Sequence, residues 1–383
     1  MSIKKEARDF LQFLHKKWNY SRDLLGPREL ERVAALRGEL RQAAEGGLPE
    51  GEARRLFEQT PQRLEKIWPG CTKSNPWVEN IETIFTVLVI VLGLRCYFVQ
   101  PFKIPTDSMK PTLWGIYREP TEVAKPNVVR QILDYAVSGR SYHALTAPAD
   151  GHVERIRPGR SFLFVGTSKV QFAGREYTLW TDYENLVRSL AIKYGIPQNQ
   201  PLSSLSAQIT TRLAGKGFRR GETIANFTVD AGDHVFVNKL AYHFRLPKQG
   251  GVFVFTTKDI RHPELLKSTQ GMTQYYIKRC VGVPGVTLRL NPPYLYSNGE
   301  IFHNAAVDRI YSKQNGYNGY VSGGYLATAD DEVRLPANQF WAMGDNSANS
   351  LDSRYWKYVP RENLVGSATM VYWPFTKRWG LIK

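Results

Sequence analysis

The feature that most constrains the fold is an apolar run that ends about a quarter of the way along the chain. Residues Thr83 to Leu94 carry no charge, and the run extends from about Ile81 to Val99, with Glu82 and Arg95 near its ends. A helix needs about 20 residues to cross a bilayer. The sequence therefore favours a transmembrane anchor over 77–100. A buried core helix is the alternative, because the strictly uncharged part is short.

A single serine follows this run inside a proline-bracketed segment. Pro105 to Leu113 places Ser108 between two prolines, which predicts an extended stretch just outside the membrane. A serine in such a place is more often an ordinary turn residue. If it has a base beside it, it is a candidate nucleophile.

The candidate base is a lysine farther along the chain. Gly232 to Lys239 is typical of a turn that enters a strand, and alternation places Lys239 on the same face as Val235 and Val237. A buried amine loses hydration, its pKa falls, and it can accept a proton near neutral pH. A lysine that extends from a strand end to solvent is the ordinary alternative.

Four segments occur in an order that resembles the bacterial type I signal peptidases, or leader peptidases, which are membrane-anchored serine/lysine endopeptidases. They are Gln100–Leu113, Gly232–Tyr242, Tyr276–Gly285 and Gly344–Arg354. Four matches in one order make chance an unconvincing explanation. The resemblance covers the apolar run and most of the chain from Gly232 onward.

The resemblance implies a role for each residue at the reaction centre. Ser108 is expected to be the nucleophile, Lys239 the general base, and Ser350 the residue that orients the lysine amine. The backbone N–H of Ser108 and the hydroxyl of Thr106 are expected to donate to the oxyanion, where one donor contributes about 2.7–4 kcal/mol. In an extended chain, Thr106 lies on the same face as Ser108.

The last segment is expected to support this centre. Gly344 is interpreted as a conformationally demanding position, and Asp345 and Asn346 as side chains that bond to nearby backbone. Asp352 and Arg354 are predicted to brace the loop that carries Ser350. A surface ion pair worth roughly 0–1 kcal/mol is the alternative. The segment departs from the family at Ser347-Ala348, where an Arg-Asp pair is usual, and we interpret this as altered loop stability.

Composition excludes several other classes of function. The net charge of +16 suits an anionic lipid surface. It would also suit nucleic acid, but the sequence has no zinc-finger spacing or RNA-binding aromatic motif, so we expect no nucleic-acid partner. Three cysteines cannot form a disulfide framework. The histidines show no paired ligand spacing, and no nucleotide-binding loop is present, so neither a metal nor a cofactor is expected.

The predicted fold is a mainly β catalytic domain of antiparallel sheets, with an N-terminal transmembrane helix, a helical N-terminal region and a large mixed insertion. Residues 1–76 form the cytoplasmic helical region, interrupted at Gly26-Pro27, Gly46-Gly47 and Pro61. Residues 101–117 carry the nucleophile, 118–228 the insertion, and 229–383 the rest of the catalytic domain.

Within the insertion we predict strands over Gly151 to Val170 and Glu176 to Thr181, and helices over Glu184 to Tyr194 and Leu205 to Leu213.

The predicted function is removal of N-terminal signal peptides from exported preproteins by a membrane-bound Ser/Lys endopeptidase. The implied partners are preproteins with small residues at positions −1 and −3, the lipid bilayer and the translocation machinery. The implied location is the bacterial inner membrane, with a single span and the catalytic domain on the extracytoplasmic side. The alternatives are a Ser/Lys protease with one dedicated substrate and a catalytically silent membrane scaffold.

Overall fold

The computed structural model describes residues 3–21, 23, 25–71, 76–160, 166–269 and 271–382. The chain divides into two compact units, Met1–Leu92 and Gly93–Lys383. The helices are α1 (Ile3–Ser21), α2 (Pro27–Glu45), α3 (Glu50–Ile67), α4 (Pro76–Tyr97), α5 (Val128–Ser138), α6 (Tyr183–Lys193), α7 (Leu202–Ala214), α8 (Ala241–Phe244), α9 (Pro263–Thr269), α10 (Ala305–Tyr311) and α11 (Ser353–Trp356). Short 3₁₀ turns cover Ser347–Asn349 and Arg361–Asn363.

The described residues of the first unit are mainly helical. Helices α1 to α3 pack around a small apolar core that includes Leu14, Leu36 and Leu64, so the amphipathic face of α1 is buried within the chain. Gly46 ends α2 in the left-handed region, with φ 84°. The prediction of a break at Pro61 was wrong, because Pro61 lies inside α3.

Helix α4 contains the apolar run. Its segment Asn80–Tyr97 is long and apolar enough to cross a membrane, and none of that segment is buried. A soluble core helix would bury such a surface. The alternative of a buried core helix is therefore wrong, while the membrane span itself stays a prediction.

The second unit is mainly antiparallel β-sheet, which confirms that part of the predicted fold class. The strands are β1 (Val99–Lys103), β2 (Tyr117–Thr121), β3 (Arg140–Thr146), β4 (Val153–Pro158), β5 (Ser168–Phe172), β6 (Arg175–Leu179), β7 (Thr223–Asp230), β8 (His234–Asn238), β9 (Val252–Thr256), β10 (Tyr275–Gly282), β11 (Thr287–Asn291), β12 (Tyr294–Ser297), β13 (Glu300–Ile301), β14 (Glu332–Arg334), β15 (Gln339–Met343), β16 (Val359–Pro360), β17 (Leu364–Trp373) and β18 (Gly380–Leu381). The largest sheet has the order β1-β8-β17-β9-β10-β15-β16, with β18 paired to β17.

This sheet positions the site because its central strands are buried on both faces. The five buried residues at the end of β10 and the four at the end of β15 form a continuous interior. Aromatic and branched side chains such as Phe253, Phe255 and Phe340 fill one side, with almost no exposed surface. A polar side chain on these strands is therefore cut off from water.

The region 118–228 has secondary structure and an apolar core of its own. Strands β2, β7 and β3 form one sheet and β4, β5 and β6 another. Helices α6 and α7 match the two predicted helices, and β6 matches the second predicted strand. The first predicted strand region contains β4 and the start of β5, and its residues 161–165 lie outside the described chain. Helix α5 was not predicted. It begins after Asn127, whose side chain accepts a hydrogen bond from the backbone N–H of Arg130.

Candidate active site

The segment that carries Ser108 is a turn, not the predicted extended stretch. The backbone N–H of Lys110 donates to the carbonyl of Asp107 at 3.0 Å, and that of Leu113 donates to the carbonyl of Met109 at 2.9 Å. Residues two apart do not share a face in such a turn. Thr106 therefore does not share a face with Ser108 as predicted for an extended chain, and it lies in an exposed bend.

Ser108 is buried, and its hydroxyl contacts a lysine that was not selected from the sequence. The amine Nζ of Lys278 donates to Oγ of Ser108 at 2.5 Å. Lys278 lies on β10 and only 4% of it is exposed. Burial lowers the pKa of Lys278 to about 8, although the carboxylates of Asp352 and Asp345 act in the opposite direction. A neutral amine within hydrogen-bonding distance of a serine hydroxyl can take its proton.

The structure contradicts the prediction that Lys239 is the base. In the β1–β8 pair, Val99 lies opposite Asn238 and Lys103 opposite His234. Lys239 directly follows Asn238 and therefore lies at the end of the β1–β8 pair where β1 begins. Its backbone N–H donates to the carbonyl of Phe98. Ser108 follows β1 at the other end of the pair, roughly 15 Å of strand away. Lys239 is also only half-buried, since it lies beyond the last residue of β8.

A sequence signal for Lys278 was present but overlooked. Lys278 and Arg279 are adjacent cations inside the apolar run from Tyr275 to Val283. Neighbouring residues of a strand point to opposite faces, so two buried neighbours require a strand covered on both sides. Each cation then needs a specific partner, which is a stronger sign of a functional site than one lysine at a strand end.

Arg279 pairs with Asp345 on the opposite side of β10 from Lys278. The guanidinium donates to both carboxylate oxygens, at 2.8 and 2.6 Å, and both side chains are almost fully buried. The hydroxyl of Thr112 also donates to this carboxylate, at 2.5 Å. Asp345 was predicted to bond to nearby backbone. It instead connects β10 to the turn that carries Ser108.

Asn346 holds the same turn through backbone contacts. Its backbone N–H donates to the carbonyl of Ser108 at 3.0 Å, and its side-chain amide donates to the carbonyl of Asp107 at 3.1 Å. The carboxylate of Asp107 accepts from the backbone N–H of Gly115 at 3.0 Å and pairs with Lys110 at 2.9 Å. The turn is therefore fixed on both sides of Ser108.

Ser350 lies beside Ser108, and its hydroxyl has no hydrogen-bond partner among the described residues. It is buried, and its Oγ makes no hydrogen bond within the described chain. A Cβ added at Gly344 would lie 2.3 Å from Oγ of Ser350 and 2.4 Å from the carbonyl oxygen of Ser108. The two serines therefore flank Gly344, and the requirement for glycine is close approach. The predicted contact of Ser350 with Lys239 is wrong together with the assignment of Lys239.

Asp352 and Arg354 form a fully buried pair, which excludes the surface ion pair considered above. The guanidinium donates to both oxygens of Asp352 at 2.9 Å. It also donates to the carbonyls of Ser347 at 2.6 Å and Ser350 at 3.3 Å, while Asp352 accepts from the backbone N–H of Gly344 at 3.1 Å. The pair thus connects both ends of the loop that carries Ser350.

The Ser347-Ala348 departure from the family pattern is accommodated within this loop. Ser347 is buried, and its hydroxyl accepts from the backbone N–H of Val321 at 3.0 Å. Arg354 also donates to the carbonyl of Val321, at 2.7 Å. The loop therefore keeps its attachment to this neighbouring segment.

Replacing Gly344 with alanine is expected to lower activity about a hundredfold, because the new methyl group displaces the Ser108 backbone by a few tenths of an ångström or more. Overpacking is also expected to cost about 1–3 kcal/mol of stability. Gly217→Ala is the control, since no atom lies within 4 Å of its added Cβ. Assays of the activity proposed below and thermal unfolding of both variants test this. Wild-type activity in Gly344→Ala would contradict the close approach.

Comparison with known proteins identifies a related family. The family model described as signal peptidase, peptidase S26, matches residues 208–373, a range that contains Lys278 and Arg354 but begins after Ser108. A signal peptidase I of Leptolyngbya laminosa is 31% identical over 152 residues, which cover 39% of this chain and 64% of that protein. A probable signal peptidase I-1 of Synechocystis sp. is 33% identical over 155 residues, which cover 40% and 68%.

A second Synechocystis protein, a probable signal peptidase I-2, is 28% identical over 208 residues. The match covers 52% of this chain and 85% of the relative. The chain thus spans a little under two thirds of the Leptolyngbya protein and somewhat more of the two Synechocystis proteins.

Proposed function

Since the chain belongs to the signal peptidase I family of peptide hydrolases, we propose that it is a serine endopeptidase in which Lys278 activates Ser108 to remove signal peptides from exported preproteins. The observation that carries this proposal is the 2.5 Å hydrogen bond between the Lys278 amine and the Ser108 hydroxyl. The lowered pKa of Lys278, about 8, makes the neutral amine available near physiological pH.

The reaction then proceeds in two stages through an ester. Oγ of Ser108 attacks the scissile carbonyl carbon while its proton moves to Nζ of Lys278, and the carbonyl oxygen becomes an oxyanion. The Lys278 ammonium gives that proton to the leaving amine as the C–N bond breaks. Neutral Lys278 next takes a proton from water, which attacks the ester. The returned proton restores the Ser108 hydroxyl and releases the signal peptide as a carboxylic acid.

The remaining site residues take supporting roles. The backbone N–H of Ser108 and the hydroxyl of Thr106 are proposed as oxyanion donors. Thr106 would need to rotate toward the site when substrate binds, since it lies in an exposed bend. Ser350 is proposed to orient the amine of Lys278, because its buried hydroxyl lies beside Ser108 and has no partner in the part of the chain that the structure describes. Gly344, Asp345, Asn346, Asp352 and Arg354 fix the two loops that carry the serines.

The proposed substrates are preproteins bound as extended strands, with small residues at positions −1 and −3. Extended chains direct alternate side chains to one face, which explains a requirement at every second position. Helix α4 is proposed as the single membrane anchor, with the catalytic unit on the extracytoplasmic side of the inner membrane. The translocation machinery is the proposed source of substrate.

This function is tested with several unrelated preproteins and the detergent-solubilised protein. Each preprotein is assayed with its Ala-x-Ala site and with leucine at position −1. Cleavage of most wild-type sites, with loss on substitution by leucine, is the expected result. Cleavage of one preprotein alone favours a dedicated protease. The Ser108–Lys278 contact disfavours a catalytically silent scaffold. Failure to cleave any of the preproteins would support the scaffold.

Activity is expected to rise with pH through a single ionisation near 8. The reactive form of Lys278 is the neutral amine, which is fully populated only above its pKa of about 8. Below that value the rate should fall tenfold per pH unit, to about 1% of the plateau at pH 6. The measurement is kcat/KM against pH, which reports the ionisation in the free enzyme. A rate that is constant or decreases from pH 6 to 8 would exclude a lysine base with this pKa.

A further inference from the structure

A cavity of about 430 Å³ lies behind the turn that carries Ser108 and has no role in the proposed reaction. One wall is formed by Pro111 and Thr112, and another by Arg309 at the C-terminal end of α10. The segment from Lys377 to Ile382 forms the remaining side. Its volume falls in the range of about 300–1,000 Å³ that is typical of small-molecule sites.

Basic side chains dominate the polar lining of the cavity. Arg309, Lys377 and Arg378 all contribute, and the lining contains no acidic side chain. Arg378 is neutralised by Asp233, with which it forms hydrogen bonds of 2.8–3.1 Å. In the described part of the chain, Arg309 and Lys377 form no ion pair; Arg309 is half-buried and Lys377 is exposed to solvent.

The guanidinium of Arg309 has a buried donor that is free to bind an acceptor. Its Nε is buried and makes no hydrogen bond with any described residue. A buried N–H without an acceptor destabilises the fold, and the effect is larger for a charged group. The planar fork of an arginine matches the oxygens of a phosphate group, and a nearby lysine adds a flexible point charge.

The rim of the cavity is apolar, which indicates what the anion is attached to. Trp379 and Leu381 line the cavity and are 54% and 74% exposed. An amphipathic ring beside cations is typical of the headgroup layer of a bilayer. A free inorganic anion would gain nothing from these side chains.

We infer that this cavity is a phosphate-binding site that holds the headgroup of an anionic glycerophospholipid, with Arg309 and Lys377 binding the phosphate and Trp379 and Leu381 contacting the start of the acyl chains. The choice of a lipid over a soluble phosphate rests on the proposed membrane location, whereas the phosphate site itself does not. The site adjoins the catalytic centre through Thr112, whose hydroxyl contacts both Asp345 and the phenol of Tyr317.

The test is calorimetric titration of the detergent-solubilised full chain with dihexanoyl phosphatidylglycerol and, separately, with inorganic phosphate. The wild type is expected to bind the lipid more tightly. The double variant Arg309→Gln/Lys377→Gln is expected to bind both probes at least about tenfold more weakly, because two charge-assisted contacts are lost. The matched control is Arg334→Gln/Lys258→Gln, two exposed cations outside the cavity lining, which should bind like wild type.

The possible results separate the parts of this inference. Wild type could bind the lipid and inorganic phosphate with equal affinity, and the double variant could bind both more weakly. That result would support the phosphate site but would contradict the inference that its ligand is a lipid. Unchanged binding in the double variant, or no binding of either probe by wild type, would overturn the site. Ser108→Ala is expected to bind both probes normally, so the outcome does not depend on peptidase activity. Thermal unfolding of the double variant verifies that it remains folded.

Discussion

Replacing Lys278 with methionine is expected to lower kcat for preprotein cleavage by about a hundredfold to ten-thousandfold, while Lys239→Met retains nearly wild-type activity. General base catalysis contributes a factor of this size, and methionine fills the same buried space without an amine. Lys278 contacts the Ser108 hydroxyl, whereas Lys239 lies beyond the far end of the β1–β8 pair. The measurement is kcat and KM for both purified variants.

The substitution at Lys278 is not expected to unfold the protein. Removing a desolvated amine from the interior relieves a cost of burial, so the thermal midpoint should stay the same or rise. Loss of activity in a folded Lys278→Met variant then reports on chemistry. The reverse pattern, with Lys239→Met inactive and Lys278→Met active, would restore the assignment that the sequence favoured.

Replacing Asp345 with asparagine is expected to be the most damaging change to stability. It leaves the guanidinium of Arg279 buried without a counter-charge, which typically costs about 3–5 kcal/mol. It also weakens the acceptor for Thr112, which fixes the turn that carries Ser108. Activity should therefore fall together with the free energy of unfolding, measured by chemical denaturation.

A surface pair in the same unit provides the control for Asp345→Asn. Glu184 pairs with Arg188 along α6, and the glutamate side chain is 47% exposed. Glu184→Gln is expected to cost about 0.5 kcal/mol or less, because exposed helical pairs are screened by solvent. A similar small effect for Asp345→Asn would mean that the buried pair does not hold the site together.

The fold class was accessible from sequence because its signals are local. Short apolar runs separated by glycine, proline and asparagine indicate antiparallel strands without knowledge of their order. Ser108 was also accessible, since the motif around it is contiguous. The conformation of that motif was not accessible, because the turn from Asp107 to Leu113 depends on Asp345 and Asn346, more than 200 residues away.

The adjacent cations Lys278 and Arg279 indicate a functional strand, but the contact between Lys278 and Ser108 was missed because it depends on how the strands are arranged in the sheet. Lys239 and Lys278 both belong to strand-like segments that are rich in apolar residues. Only the order β8-β17-β9-β10, and the return of the chain after β1, decide which amine meets Ser108. One strand boundary also mattered, since β8 ends at Asn238 and leaves Lys239 outside the sheet.

The same limit explains the supporting residues. Asp352 and Arg354 are close in sequence, so their pairing was predictable, but their burial depends on the packing around the loop. Asp345 has a partner 66 residues away on β10, and no local pattern connects the two. The pairing of Arg279 with Asp345, like the contact of Lys278 with Ser108, therefore becomes visible only in the folded structure.

The most direct test of the Ser108–Lys278 mechanism is cleavage of a preprotein with an Ala-x-Ala site by wild type and by Ser108→Ala, with sequencing of the product N-terminus. We expect wild type to cut after the second alanine. A folded Ser108→Ala variant should leave the preprotein intact under the same conditions. Cleavage by Ser108→Ala at a rate close to that of wild type would contradict the assignment of Ser108 as the nucleophile.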